Sequence, residues 1–152
     1  MDKQRILGRV PIFNGLSQEE LDSVAQLCEV RKYKKNDVIF TEKSHGKELY
    51  IVAKGRVRIE LEIKGETERA TVHRVQKGGV LGELALVDEG RRSATARCET
   101  DSDIIILDRD ALLSLFEKNS HIGYVLMTNL ASVLATKLRQ TDLQLVACFL
   151  WE

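Results

Sequence analysis

The sequence predicts a mainly β domain with flanking helices, and three observations predict it. The apolar period is helical up to about residue 29, breaks into short runs of β-branched and aromatic residues from Val30 to Leu107, and is helical again beyond. Clusters of turn-forming residues cut the middle stretch at short intervals. Helix-start signals stand at Ser17 and Asp108, ahead of helical stretches on either side of the strands.

Ile6 to Leu16 reads as a helical turn and loop. Ser17-Gln18-Glu19-Glu20 is a capping box, and Leu21, Val24, Ala25 and Cys28 recur at helical spacing, which predicts an amphipathic helix from about Gln18 to Glu29. The middle stretch is punctuated by Lys35-Asn36-Asp37, Lys43 to Lys47, Lys64-Gly65-Glu66, Lys77-Gly78-Gly79 and Asp88-Glu89-Gly90. That makes about eight short strands, a spacing that suits a sandwich or a jelly roll closed on itself. Asp108 is the expected N-cap of a helix with Leu112, Leu115 and Phe116 on one face, and Asn119-Ser120 breaks it. Ile122, Leu126, Leu130, Leu134 and Leu138 then stand four apart, flanked by Val125 and Val133, which predicts a long helix with a broad apolar face. Its end is apolar too, with Leu143, Leu145, Val146, Phe149, Leu150 and Trp151. A small barrel can cover only part of such a helix, so the rest is expected to meet another subunit.

Composition bounds the function classes. A chain of 152 residues fits one domain and can bury roughly 70% of its unfolded surface. Lys plus Arg equals Asp plus Glu at 23 each, so the electrostatic footprint of general nucleic-acid or membrane-surface binding is missing, and neither partner is expected. The N-terminus lacks the apolar stretch and small-residue cleavage site of a signal peptide, and no run reaches transmembrane length. Cys28, Cys98 and Cys148 are odd in number and far apart, without a C-x-x-C pair. A cytoplasmic, reducing environment is the simple expectation, with neither a disulfide framework nor a zinc site.

The most informative stretch runs from Gly82 to Ala96. Gly82 removes a side chain where backbone must approach a ligand, and Glu83 to Leu86 can form one helical turn whose leading N–H groups suit an anion. Ala85 keeps that turn free of bulk. A carboxylate in a phosphate site is repelled unless it faces something else, and the natural partner for Glu83 is a donor such as a ribose 2′-hydroxyl. Arg92 supplies the countercharge through a planar guanidinium that holds two phosphate oxygens at once, and the Ser93 hydroxyl adds a further bond.

These residues resemble the phosphate-binding cassette of the cyclic-nucleotide-binding domains in catabolite-activator proteins, cyclic-nucleotide-dependent kinases and cyclic-nucleotide-gated channels. That cassette reads roughly F-G-E-(L/I)-(A/C/S)-L, then R-(S/T/A)-A-(T/S)-(V/A) after a short loop. This chain has Leu81-Gly82-Glu83-Leu84-Ala85-Leu86 and Arg92-Ser93-Ala94-Thr95-Ala96. The resemblance extends to Leu49-Tyr50-Ile51-Val52-Ala53-Lys54-Gly55-Arg56-Val57, similar to the family's L-Y-x-I-x-x-G-x-V strand pair, and to Val10-Pro11-Ile12-Phe13-Asn14-Gly15-Leu16-Ser17, similar to its N-terminal helical segment.

The resemblance implies an eight-stranded β jelly roll (double-stranded β-helix) with N-terminal helices, a short helix and a long C-terminal helix. The whole chain, 1–152, is then one cyclic-nucleotide-binding domain: helical segment 1–29, β-roll with its cassette 30–107, C-terminal helices 108–152. It implies that Glu83 binds the ribose hydroxyl, that Arg92 binds the exocyclic oxygens of the cyclic phosphate, and that Gly82, Leu84, Ala85 and Ser93 line the same pocket. Thr141, which follows Lys137-Leu138-Arg139 as a polar residue does in catabolite-activator relatives, is expected to cap the base. Two positions depart from the pattern: the family usually has glycine near Asn36 and Lys43, where asparagine tolerates a left-handed turn and lysine does so less readily.

Arg91 competes with Arg92 for the phosphate, but the family spacing selects Arg92 and leaves Arg91 a solvated charge. Arg56, Arg58, Arg69 and Arg74 read as strand-face charges. His45, His73 and His121 are dispersed, without the clustering of a metal-bearing jelly roll, and read as surface or turn residues. No nucleophile elbow, Walker loop or paired-carboxylate arrangement is present, so a metal-dependent jelly-roll enzyme is disfavoured and no cofactor is expected. The resulting expectation is a non-catalytic regulatory module for cyclic AMP or cyclic GMP. It is expected to form a homodimer through its C-terminal helix and to act on an unknown effector protein or form part of a longer product. The alternative is a ligand-free dimerisation scaffold on the same fold.

Overall fold

Eight antiparallel strands form two four-stranded sheets in the computed structural model, which describes residues 1–150. Trp151 of the expected apolar tail lies outside the described residues. The strands are β1 (Cys28–Tyr33), β2 (Val38–Phe40), β3 (Glu48–Lys54), β4 (Arg56–Glu62), β5 (Arg69–Gln76), β6 (Val80–Leu81), β7 (Thr95–Cys98) and β8 (Ser102–Asp108). One sheet has the order β1-β8-β3-β6 and the other β2-β7-β4-β5, so nearly every connection crosses between sheets. This is the expected jelly roll. Helices α1 (Lys3–Leu7) and α2 (Gln18–Gln26) precede it, and α3 (Arg109–Lys118) and α4 (Ser120–Leu150) follow.

The predicted caps explain where the helices start. Ser17 Oγ accepts from the Glu20 amide while Glu20 Oε1 accepts from the Ser17 amide, a reciprocal pair that opens α2. Asp108 caps α3 by accepting from the Ala111 amide. The end of α2 differs from expectation: the helix stops at Gln26, not Glu29, and the roll begins at Cys28, not Val30. Cys28 and Glu29 pair with Leu107 and Ile106 in the β1–β8 ladder, and these long-range bonds outweigh a helical spacing that Cys28 satisfied equally well.

Strands β3 and β8 are buried on both faces, which accounts for their nearly continuous apolar runs. Ile104 and Ile106 point into the roll with Tyr50, Val52, Val57 and Ala96. Ile105 and Leu107 point the other way, onto Phe13, Leu21, Leu112, Ile122, Leu126 and Leu130 of the helical layer. Asn129 on α4 donates from Nδ2 to the carbonyls of Ile12 and Asn14 at 2.9 and 2.8 Å, tying the long helix to the N-terminal segment. The stripe on α4 leaves the protein surface progressively: Leu130 is buried, Leu134 is half-buried and Leu138 is 64% exposed.

Both departures from the family's glycines are left-handed, Asn36 at φ 75° and Lys43 at φ 68°. The loop shape survives the lysine. Its cost of about 1 kcal/mol is offset by the bond from the Lys43 amide to the Arg92 carbonyl at 2.8 Å. Among the described residues no helix is long and apolar enough to cross a membrane.

Candidate functional site

A cavity of about 410 Å³ opens between the segment Val80–Ala94, the second sheet and one face of α4. Gly82, Glu83, Leu84, Ala85, Arg92, Ser93 and Thr141 all line it, so the topology brings the residues singled out from the sequence to one place. Gly82 is left-handed at φ 71°, and Glu83–Leu86 form a 3₁₀ turn directly after it. Leu84 and Ser93 are exposed at the cavity mouth, as is Arg91, while Arg92 points inward.

Arg92 is 6% exposed. Its Nη2 donates to the Glu48 carbonyl at 2.9 Å and Nη1 to the Gly82 carbonyl at 3.4 Å. The guanidinium carbon stands 4.6 Å from the Phe40 ring centroid and 5.6 Å from that of Tyr50, close enough for both aromatic faces to attract the cation. Among the described residues the one carboxylate within 4.0 Å is that of Glu48, at 3.6 Å and partly exposed. Nε is buried without a partner, so one donor of a desolvated cation remains to be satisfied.

Glu83 is 9% exposed and its Oε1 accepts from the ammonium of Lys137 on α4. Lys137 was not among the residues expected from sequence. The signal that points to it is its place on the cavity-facing side of α4, three residues beyond Leu134 and four before Thr141. Thr141 donates its hydroxyl back to the Lys137 carbonyl at 2.9 Å.

His73 is exposed on β5, as expected of a surface histidine, and it also lines the cavity. Burial first, and then the Lys137 ammonium, push its pKa below the usual 6.5, against the opposing pull of Glu83. Phe40 and Gly46 were likewise missed, because both act through Arg92, about fifty residues further along the chain.

A larger open basin of about 1060 Å³ lies around the β4–β5 hairpin and holds none of the expected residues. Its arginines are already matched to glutamates: Arg97 and Arg58 to Glu60 at 3.1 and 3.4 Å, Arg74 to Glu99 at 3.0 Å, Arg69 to Glu62 at 3.5 Å. Each arginine of that basin therefore already has a carboxylate partner.

The chain is similar to known proteins. The family described as "Cyclic nucleotide-binding domain" matches residues 30–119. The cyclic AMP receptor protein of Thermus thermophilus is 36% identical over 135 residues, which are 89% of this chain and 60% of that protein. Human cGMP-dependent protein kinase 2 is 30% identical over 108 residues, 70% of this chain but 14% of the kinase. The crystal structure of the Thermus thermophilus catabolite activator protein superposes with a TM-score of 0.81 at 34% identity, covering 91% of this chain and 62% of that one. The chain therefore spans less than two thirds of the length of these relatives. With the family match extending over more than half of its residues, the chain belongs to the cyclic nucleotide-binding domain family.

Proposed function

We propose that this chain is a non-catalytic regulatory module that binds a purine cyclic mononucleotide, cyclic AMP or cyclic GMP. The observation that carries this reading is Arg92: a buried guanidinium with an unpartnered Nε, at the wall of the cavity that Glu83 also lines. An anion on Arg92 satisfies the orphaned donor, and the cyclic phosphate supplies two oxygens to a planar fork. Glu83 Oε1 is taken by Lys137, which leaves Oε2 to accept the ribose 2′-hydroxyl. Thr141 lies across the cavity on α4, where it can meet the base. The names of the relatives include both nucleotides, and Ser93 suits either purine.

Ligand on Arg92 and Glu83 orders the cassette, and the Glu83–Lys137 contact carries that ordering to α4, whose exposed end then changes what it presents to a partner. Leu138, Leu145, Val146, Phe149 and Leu150 on that end remain exposed and support homodimerisation through the helix. The alternative, a ligand-free dimerisation scaffold, draws on one observation: Glu83 already has a cation beside it. Calorimetric titration with cyclic AMP and cyclic GMP, followed by mass spectrometry of the nucleotide, separates the readings. Saturable binding with intact nucleotide supports the module, no binding of either supports the scaffold, and accumulating linear monophosphate overturns the non-catalytic claim.

A further inference from the structure

The guanidinium of Arg92 occupies a slot whose two walls are glycines. A Cβ added at Gly82 would come within 2.5 Å of Nη1. One added at Gly46, on the β2–β3 loop, would lie 2.7 Å from Nε and 2.8 Å from Cζ, and would overlap Nη2. No real side chain tolerates such separations, so either position must remain bare or the arginine must move. Phe40 closes a third side of the slot. The same loop grips the backbone of Arg92: the Lys43 amide donates to the Arg92 carbonyl, and the Arg92 amide donates to the Ser44 carbonyl, both at 2.8 Å. At the end of the loop, the Glu48 carbonyl accepts from Nη2.

We infer that Gly46 is a positioning residue for the anion contact of this site: it holds the Arg92 guanidinium in register by leaving no other space for it. The inference rests on the nucleotide-binding reading and names a determinant 36 residues before the start of the cassette at Gly82. Gly46, unlike Gly82, does not have a positive φ, so an alanine there adds volume without backbone strain. The group it displaces is the far end of a long side chain rather than backbone. Gly46→Ala therefore moves the arginine and leaves the roll standing.

The test is a double-mutant cycle of Gly46→Ala and Arg92→Ala, read by calorimetry with cyclic AMP and by the Arg92 Nε–H resonance in ¹H–¹⁵N spectra of the unliganded protein. Gly46→Ala should weaken cyclic AMP binding roughly ten- to a hundredfold, and should add nothing further in the Arg92→Ala background. The Arg92 guanidinium carbon lies 4.6 Å from the Phe40 ring centroid, so the Nε–H resonance should sense that ring in the native chain and should move in Gly46→Ala. Unchanged affinity, losses that simply add, or an unmoved resonance would each overturn the inference. A moved resonance in a chain that binds neither nucleotide supports the slot and overturns the nucleotide reading. If Gly46→Ala does not fold, recovery of folding in the Arg92→Ala background supports the slot, and failure there overturns it.

Discussion

The ammonium of Lys137 meets Oε1 of Glu83, joining residues 54 positions apart and linking the cassette to the long helix. Among the described residues it is the one side-chain hydrogen bond between α4 and the cassette. It sits where α4 parts from the roll, two turns beyond the Asn129 tether and beside the exposed Leu138. The carboxylate proposed to meet the ribose is therefore also the one that meets the long helix.

Removing either partner should have separable effects. Glu83→Ala should weaken binding of cyclic AMP by about 1.5–3 kcal/mol, and the loss should nearly vanish for the 2′-deoxy nucleotide. Lys137→Met leaves a buried carboxylate without its cation, but the lysine is half exposed, so the expected loss of stability is roughly 1–2 kcal/mol. Calorimetry reads the first and urea denaturation the second.

The capping box of α2 should give the protein a specific acid sensitivity. The hydrogen bond from His121, and then that from the Ser17 amide, hold the Glu20 carboxyl below its ordinary value of 4.5. A carboxyl whose folded pKa is depressed contributes stability that is present above 4.5 and lost as pH falls through the lowered value. Glu20→Gln should therefore be less stable than the native chain at about pH 6 and indistinguishable from it at about pH 2. Denaturant titrations at the two pH values measure the gap.

Dimerisation should depend on the exposed end of α4. Leu138 is 64% exposed and Phe149 67%, on a helix that is buried up to Leu130. Sedimentation equilibrium at micromolar protein should report twice the 17.2 kDa chain mass, and Leu138→Glu with Phe149→Glu should return it to 17.2 kDa. A native chain that sediments at the monomer mass contradicts the assignment.

The three thiols should differ in reactivity. Burial pushes the Cys28 thiol up to about 11 and raises that of Cys98, while Cys148 is exposed on α4. A thiol reagent at mildly alkaline pH should label one cysteine per native chain, shown by peptide mapping to be Cys148, and three in denaturant.

The roll was legible because its turns are written in short polar clusters: the five punctuating segments all fall between strands or after the cassette turn. The cassette was legible because Gly82 to Ser93 is a local pattern. What stayed hidden is long-range. Cys28 suits a helix as well as a strand, and only its pairing with Leu107 decides between them. Phe40 and Gly46 on one side of Arg92, and His73 near Glu83, carry no local signature, and Lys137 has only its helical spacing from Leu134 and Thr141, since each matters through a partner tens of residues away. Lys43 could be read as a departure from glycine, but not that its backbone would still turn left-handed.

The central claim is that Arg92, and not its neighbour Arg91, holds the anionic group of a cyclic nucleotide, and its most direct test is calorimetric titration of the native chain, Arg92→Ala, Arg92→Lys and Arg91→Ala with cyclic AMP and cyclic GMP. Removing a desolvated, hydrogen-bonded charge should cost about 2–5 kcal/mol of binding, or roughly thirty- to a few thousandfold in affinity. Lysine should fail substantially as well, because a point charge cannot reproduce the planar fork. Arg91, exposed at the cavity mouth, should be replaceable with little effect. Full affinity in folded Arg92→Ala, or loss of binding in Arg91→Ala alone, would contradict the account.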